Sequence, residues 1–142
     1  MAIRTATTVW TGTLKEGKGS MSVGSGAFDV PFSFGTRFAE EPGTNPEELI
    51  GAAHAGCFSM FLSAQLTNAG FPPVRIHTVS KVHFGRDATG PVIEKLELVT
   101  EAEVPGIEAE KFAELVAISK QNCPISRVLA AVPEMTVDAK LV

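Results

Sequence analysis

The sequence lacks most of the features by which a chain signals a nucleic acid, a membrane or a metal. Its 12 Lys and Arg and 16 Asp and Glu give a net charge of −4 and are scattered rather than blocked. That pattern offers no basic stripe for a phosphate backbone and no polybasic patch for a lipid surface, which argues against nucleic-acid and membrane partners. The N-terminus, Met1-Ala2-Ile3-Arg4-Thr5, has no basic-then-apolar signal layout, so a cytoplasmic location is expected. No C-x-x-C or H-x-x-x-H spacing suggests zinc; His77 and His83 share a strand face but stand about 20 Å apart along it. No phosphate loop, G-x-S-x-G or dinucleotide fingerprint is present, and no cofactor is expected. Repeats and low-complexity tracts are also missing, and 142 residues suit a single domain over 1–142.

Cysteine is scarce too: there are 2, Cys57 and Cys123. In a reducing compartment such residues are catalytic, redox-sensing or merely buried, and a standing structural disulfide is the exception.

What is present reads as an α+β order. Ile3 to about Phe34 is rich in Thr, Val, Gly and Ser, with turn signals at residues 15–19 and 24–26, which predicts a meander of three antiparallel strands. Gly35 to Gly43 reads as a loop carrying Arg37 and Phe38. Asn45-Pro46-Glu47-Glu48 marks a helix start, with Asn45 as N-cap, Pro46 at the first helical position and Glu48 closing a capping box. The helix runs to about Asn68 and ends at Gly70-Phe71-Pro72-Pro73. No Asp, Glu, Lys or Arg occurs from Leu49 to Val74. His54, Ser59, Ser63, Gln65 and two glycines nonetheless make this stretch too polar for a bilayer span, and it reads as a buried helix. Its apolar residues fall on every side, so protein is expected all around it. Alternating stretches at 74–84 and 92–104 predict a hairpin, Glu108 to Lys120 an amphipathic helix, the residues after Cys123 a short helix, and Met135 to Val142 a last strand.

The two cysteines occupy contrasting settings. Cys57 lies in the uncharged helix, where apolar burial disfavours the thiolate, whereas Cys123 precedes Pro124 at a helix start, where amides favour an anion. A thiol with an ordinary pKa of about 8.5 needs help to ionise at neutral pH, and Arg37 is the nearest candidate cation. Glu47, left free if Glu48 serves the cap, can hold that guanidinium in a bidentate pair. Residues 47 and 57 of one helix differ by about 15 Å in rise, so a site using Arg37, Glu47 and Cys57 together points to two chains exchanging these groups. The local sequence leaves other readings open: a solvated Arg37, a helix-start acid at Glu47, a small capping residue at Cys123 and a core histidine at His54. An apolar-ligand carrier and a redox sensor also stay open as functions.

The motifs Thr36-Arg37-Phe38, Pro42-Gly43-Thr44-Asn45-Pro46-Glu47-Glu48-Leu49, Ala52-Ala53-His54-Ala55-Gly56-Cys57-Phe58-Ser59-Met60 and Asn122-Cys123-Pro124-Ile125-Ser126 cover most of the chain in order. Together they resemble the OsmC/Ohr family of thiol-dependent organic hydroperoxide reductases. Thr-Arg-Phe fits the OsmC branch, and the early Gly-Gly-Arg of the Ohr branch is absent. The resemblance implies an intertwined homodimer of α+β chains, with antiparallel sheets packed around long central helices. It implies that Cys57 is the peroxidatic thiolate, Cys123 the resolving thiol, Arg37 the activating cation and Glu47 its orienting carboxylate. It further implies an organic hydroperoxide substrate and a small or protein-bound dithiol reductant of the lipoyl type. Phe38, Phe58, Met60 and Phe71 are the expected apolar walls for substrate.

Overall fold

The computed structural model describes residues 1–142, whose contacts divide into two compact units, 1–49 and 50–142. In the first, β1 (Ala6–Thr11), β2 (Lys18–Val23) and β3 (Asp29–Ser33) form the expected antiparallel meander. Trp10 and Phe32 meet across it at 5.2 Å between ring centroids. They converge over Gly19, where a Cβ would stand 2.6 Å from the Phe32 ring and 2.8 Å from Trp10, so only glycine fits.

The expected loop from Gly35 begins instead within a short helix, α1 (Phe34–Phe38). Ser33 caps it: its hydroxyl accepts from the Thr36 amide at 3.2 Å, while the Thr36 hydroxyl accepts from the Ser33 amide at 3.0 Å. This reciprocal pair has Thr in the place usually held by Glu or Gln, so it carries little sequence signal.

The long helix α2 (Pro46–Asn68) starts and ends where the sequence predicts. Asn45 Oδ1 accepts from the Glu48 amide at 2.9 Å. The Glu48 carboxylate does not return to Asn45 as expected; it accepts the Thr44 hydroxyl at 3.1 Å, a competing donor just upstream. At the other end Gly70 has φ +88°, and the Phe71 and Gly70 amides donate to the carbonyls of Leu66 and Thr67 at 2.9 and 3.0 Å. This closing pattern requires a left-handed residue, which glycine adopts without a Cβ clash.

In the second unit, β4 (Arg75–Asp87) and β5 (Gly90–Glu103) form the expected hairpin, turned by Asp87, whose carboxylate accepts from the Thr89 amide and hydroxyl, both at 2.7 Å. The chain then passes through α3 (Ala109–Asn122) and α4 (Pro124–Val128) before β6 (Glu134–Leu141). This helical crossover returns β6 parallel to β5, so the second sheet is mixed where antiparallel pairing was expected.

His54, Phe58, Leu62 and Leu66 form a column along α2, each with no exposed surface. Phe58, Leu62 and Leu66 pack with Leu98 and Ala102 of β5 and Phe112 and Leu115 of α3. Burying each such large apolar side chain contributes about 2 kcal/mol. By length and composition α2 could cross a membrane, but this column marks it as a core helix. The expectation that protein surrounds it does not hold within one chain. Ala52, Gly56 and Met60, on the opposite face, are exposed, with Met60 77% accessible. A sheet and two helices cover one side of a 23-residue helix and leave the other bare.

Candidate active site

Cys57 lies midway along α2 and is half-buried, while Cys123 is fully buried at the junction of α3 and α4. Pro124 forces that junction. It cannot donate to the ladder of α3 but suits the first position of a new helix, so Cys123 ends one helix and precedes the other. The Cys123 amide donates to the Ser119 carbonyl at 3.0 Å, and the Arg127 amide donates to the Cys123 carbonyl at 3.0 Å, so the bend is fixed from both sides.

Although the two cysteines are 66 positions apart, the Cys123 thiol donates to the Cys57 sulfur at 2.8 Å, and both are free. Burial pushes the Cys57 thiol above its ordinary pKa, and the hydrogen bond and charge of Cys123 push it the same way. The Ile125 amide, hydrogen-bonded to the Cys57 sulfur, pulls it down without reversing the shift. The 50–142 unit thus brings the sulfurs together but does not itself favour a thiolate.

The 1–49 unit holds the candidate cation. Arg37 leaves the last turn of α1 and meets Glu47 in the first turn of α2. Its Nη2 donates to Glu47 Oε1 at 2.8 Å, and its Nε reaches Oε1 and Oε2 at 3.2 and 3.3 Å. Glu47 is buried, and the Arg37 side chain is 35% accessible. Asn45 adds a brace by donating to the Thr36 carbonyl at 3.1 Å. The guanidinium also lies 5.1 Å from the Phe38 ring centroid, within cation–π range.

Of the expected apolar walls, Phe38 belongs to the 1–49 unit and Phe58, Met60 and Phe71 to the 50–142 unit. Phe38 lines a cleft of about 300 Å³ with Arg37, Trp10, Leu14, Phe32 and Phe34. Phe58 is enclosed in the core, Phe71 packs partly buried against that core, and Met60 lies in a surface cleft with Ser59, Pro73 and Val74. Sequence reasoning missed Trp10, Phe32 and Phe34 as neighbours of Arg37. The alternation of Trp10 with polar strand residues and the run Phe32-Ser33-Phe34 were the available signals. It also missed the Ile125 amide, which no side-chain pattern announces. His54 is buried as the core reading expected, but it is not the satisfied histidine of that reading: Nε2 is bonded to Ser126 and Nδ1 has no partner. His83 pairs with Glu97, and no cluster of three potential metal ligands occurs.

Two free thiols thus lie in contact on an α+β frame. Comparison with known proteins agrees on the lineage. The family model described as OsmC-like protein matches residues 39–138. The chain is 48% identical over 133 residues to the Escherichia coli (strain K12) protein named Peroxiredoxin OsmC, covering 93% of this chain and 92% of that one. Among solved structures, the organic hydroperoxide resistance protein OhrB of Bacillus subtilis aligns with TM-score 0.73 at 24% identity, covering 97% of this chain and 98% of that one. An OsmC-like protein of unknown function from Vibrio cholerae aligns with TM-score 0.78 at 14% identity over 99% of this chain and 100% of its own. At those identities the structures speak for the fold alone. The chain belongs to the OsmC-like family.

Proposed function

We propose that this peroxidase reduces organic hydroperoxides to alcohols through Cys57 and Cys123, acting over residues 1–142 as one functional domain in the cytoplasm. The 2.8 Å approach of the two sulfurs carries the reading. The Cys57 thiolate attacks the terminal oxygen of the hydroperoxide, the O–O bond breaks, and the departing alkoxide takes a proton and leaves as the alcohol. Cys57 is then a sulfenic acid. The Cys123 sulfur attacks the Cys57 sulfur, an S–S bond forms, and the hydroxyl leaves with the Cys123 proton as water. A dithiol of the lipoyl type, small or protein-bound, exchanges with this disulfide, is itself oxidised, and returns both cysteines to thiols.

The upward shift of the Cys57 thiol calls for a cation, and Arg37 with Glu47 is a pair organised to supply one. On this reading a homodimer forms over the bare face of α2, and each chain presents its Arg37 and Glu47 to the partner's Cys57. The guanidinium there stabilises the thiolate and the charge developing on the breaking O–O bond. Phe38 and the aromatic side chains beside it form the apolar wall next to that cation, which favours an organic over an inorganic peroxide.

The test is consumption of tert-butyl hydroperoxide with dihydrolipoamide. Cys57→Ser is expected to abolish turnover, and Cys123→Ser to allow one oxidation of Cys57 without recycling. Wild-type activity in Cys57→Ser refutes the mechanism. Disulfide formation without sustained consumption by any dithiol would identify a redox sensor instead.

A further inference from the structure

Beside the sulfur pair, a second polar contact joins the helix of Cys57 to the helix that follows Cys123. His54, one turn before Cys57, has no exposed surface, and its Nε2 lies 2.9 Å from the hydroxyl oxygen of Ser126, one turn beyond Cys123. Ser126 is itself 3% exposed. The buried column of α2 is apolar at Phe58, Leu62 and Leu66 and polar only at its fourth member, His54.

That exception has a cost. Nδ1 of His54 is buried without a partner, and an unsatisfied buried polar atom destabilises a fold. Apolar side chains at both 54 and 126 would continue the column without this loss, so stability alone does not account for the pair. The bond it makes is the feature no apolar residue could supply. A bond of fixed length and direction sets the position of α4 on α2, which apolar packing specifies less sharply.

We propose that His54 and Ser126 are positioning residues whose bond holds α4 in register on α2, so that the Cys123 sulfur and the Ile125 amide both meet the Cys57 sulfur. This rests on reading Cys57 and Cys123 as the redox pair. The clasp touches no reacting atom. It acts on the resolving step, in which the Cys123 sulfur displaces hydroxyl from the Cys57 sulfenic acid to form the disulfide and water. It also keeps an amide donor on the Cys57 anion.

The experiment uses the full chain as wild type, Ser126→Ala, Ser126→Thr and His54→Leu. Each is pulsed with one equivalent of tert-butyl hydroperoxide, quenched at intervals and analysed by mass spectrometry for sulfenic acid and disulfide. Ser126→Ala and His54→Leu, each of which removes one partner, are expected to form the disulfide about tenfold more slowly than wild type, with sulfenic acid accumulating, as expected for loss of a buried hydrogen bond. Ser126→Thr, which keeps the hydroxyl at a position bordering a cleft, restores the rate. The ultraviolet absorbance of the Cys57 thiolate follows the same order, which a general loss of stability would not produce. Disulfide formation at the wild-type rate in Ser126→Ala, or no recovery in Ser126→Thr, overturns the proposal. Should wild type form no disulfide with hydroperoxide, the peroxidase mechanism fails instead. The clasp is then judged with dithiodipyridine, which couples neighbouring thiols without peroxide, and equal rates in wild type and Ser126→Ala overturn it.

Discussion

Replacing Glu47 by Gln tests whether the carboxylate works through Arg37. The substitution keeps the side chain's shape and removes its charge, so the contacts at 2.8, 3.2 and 3.3 Å lose the anionic partner: one amide oxygen is left to accept from the guanidinium, and the amide NH2 clashes where it faces that group. A hydrogen bond to a charged group contributes about 1.5–3 kcal/mol, but with Arg37 35% accessible to water, solvent screening reduces this to about 1 kcal/mol of stability. The larger effect falls on orientation. Freed from its carboxylate, the guanidinium samples other rotamers, and a loss of about 1.4 kcal/mol in its aim slows the first oxidation of Cys57 about tenfold. Stopped-flow oxidation by tert-butyl hydroperoxide measures that step, and iodoacetamide labelling of Cys57 against pH measures the thiolate. The decisive comparison is a double-mutant cycle. In an Arg37→Leu background, Glu47→Gln should change the rate less than about twofold, because the carboxylate then has nothing to aim. Equal effects of Glu47→Gln with and without Arg37, or no effect in the wild-type background, would refute the coupling.

Three further outcomes are expected. Leu62→Ala, at a position with no exposed surface, should cost about 2–5 kcal/mol in urea unfolding while leaving the sulfur chemistry of the folded fraction intact. Burial holds His54 below its ordinary pKa of 6.5, so the unfolded chain binds that proton more readily; the histidine's contribution is complete above 6.5 and is lost as pH falls from there toward the folded value. Urea midpoints at neutral and mildly acidic pH should therefore fall more steeply for wild type than for His54→Gln. Met60→Glu, on the bare face of α2, should weaken self-association in sedimentation with little effect on secondary structure, because a charge there is tolerated in water and penalised at an apolar interface.

Much of the fold was legible because local signals agreed. Asn45-Pro46 opens a helix and Gly70 followed by two prolines closes it, and α2 has those bounds. The hairpin and the crossing helices were equally readable from apolar periods of two and of about 3.6. What escaped the sequence depended on choices between near-equal local partners. Ser33 and Thr36 form a cap that looks like loop, and Glu48 prefers Thr44 to Asn45. The pairing of Arg37 with Glu47 spans 10 positions and could be guessed once Glu48 was assigned to the cap. The bond from His54 to Ser126 spans 72, and neither residue alone distinguishes a satisfied core group from a clasp. Only the fold could show that His54 and Ser126, each one turn from a cysteine, face each other. For the same reason the two thiols, whose contrasting settings suggested a division of labour, come into contact only where the bend at Pro124 turns Cys123 onto α2.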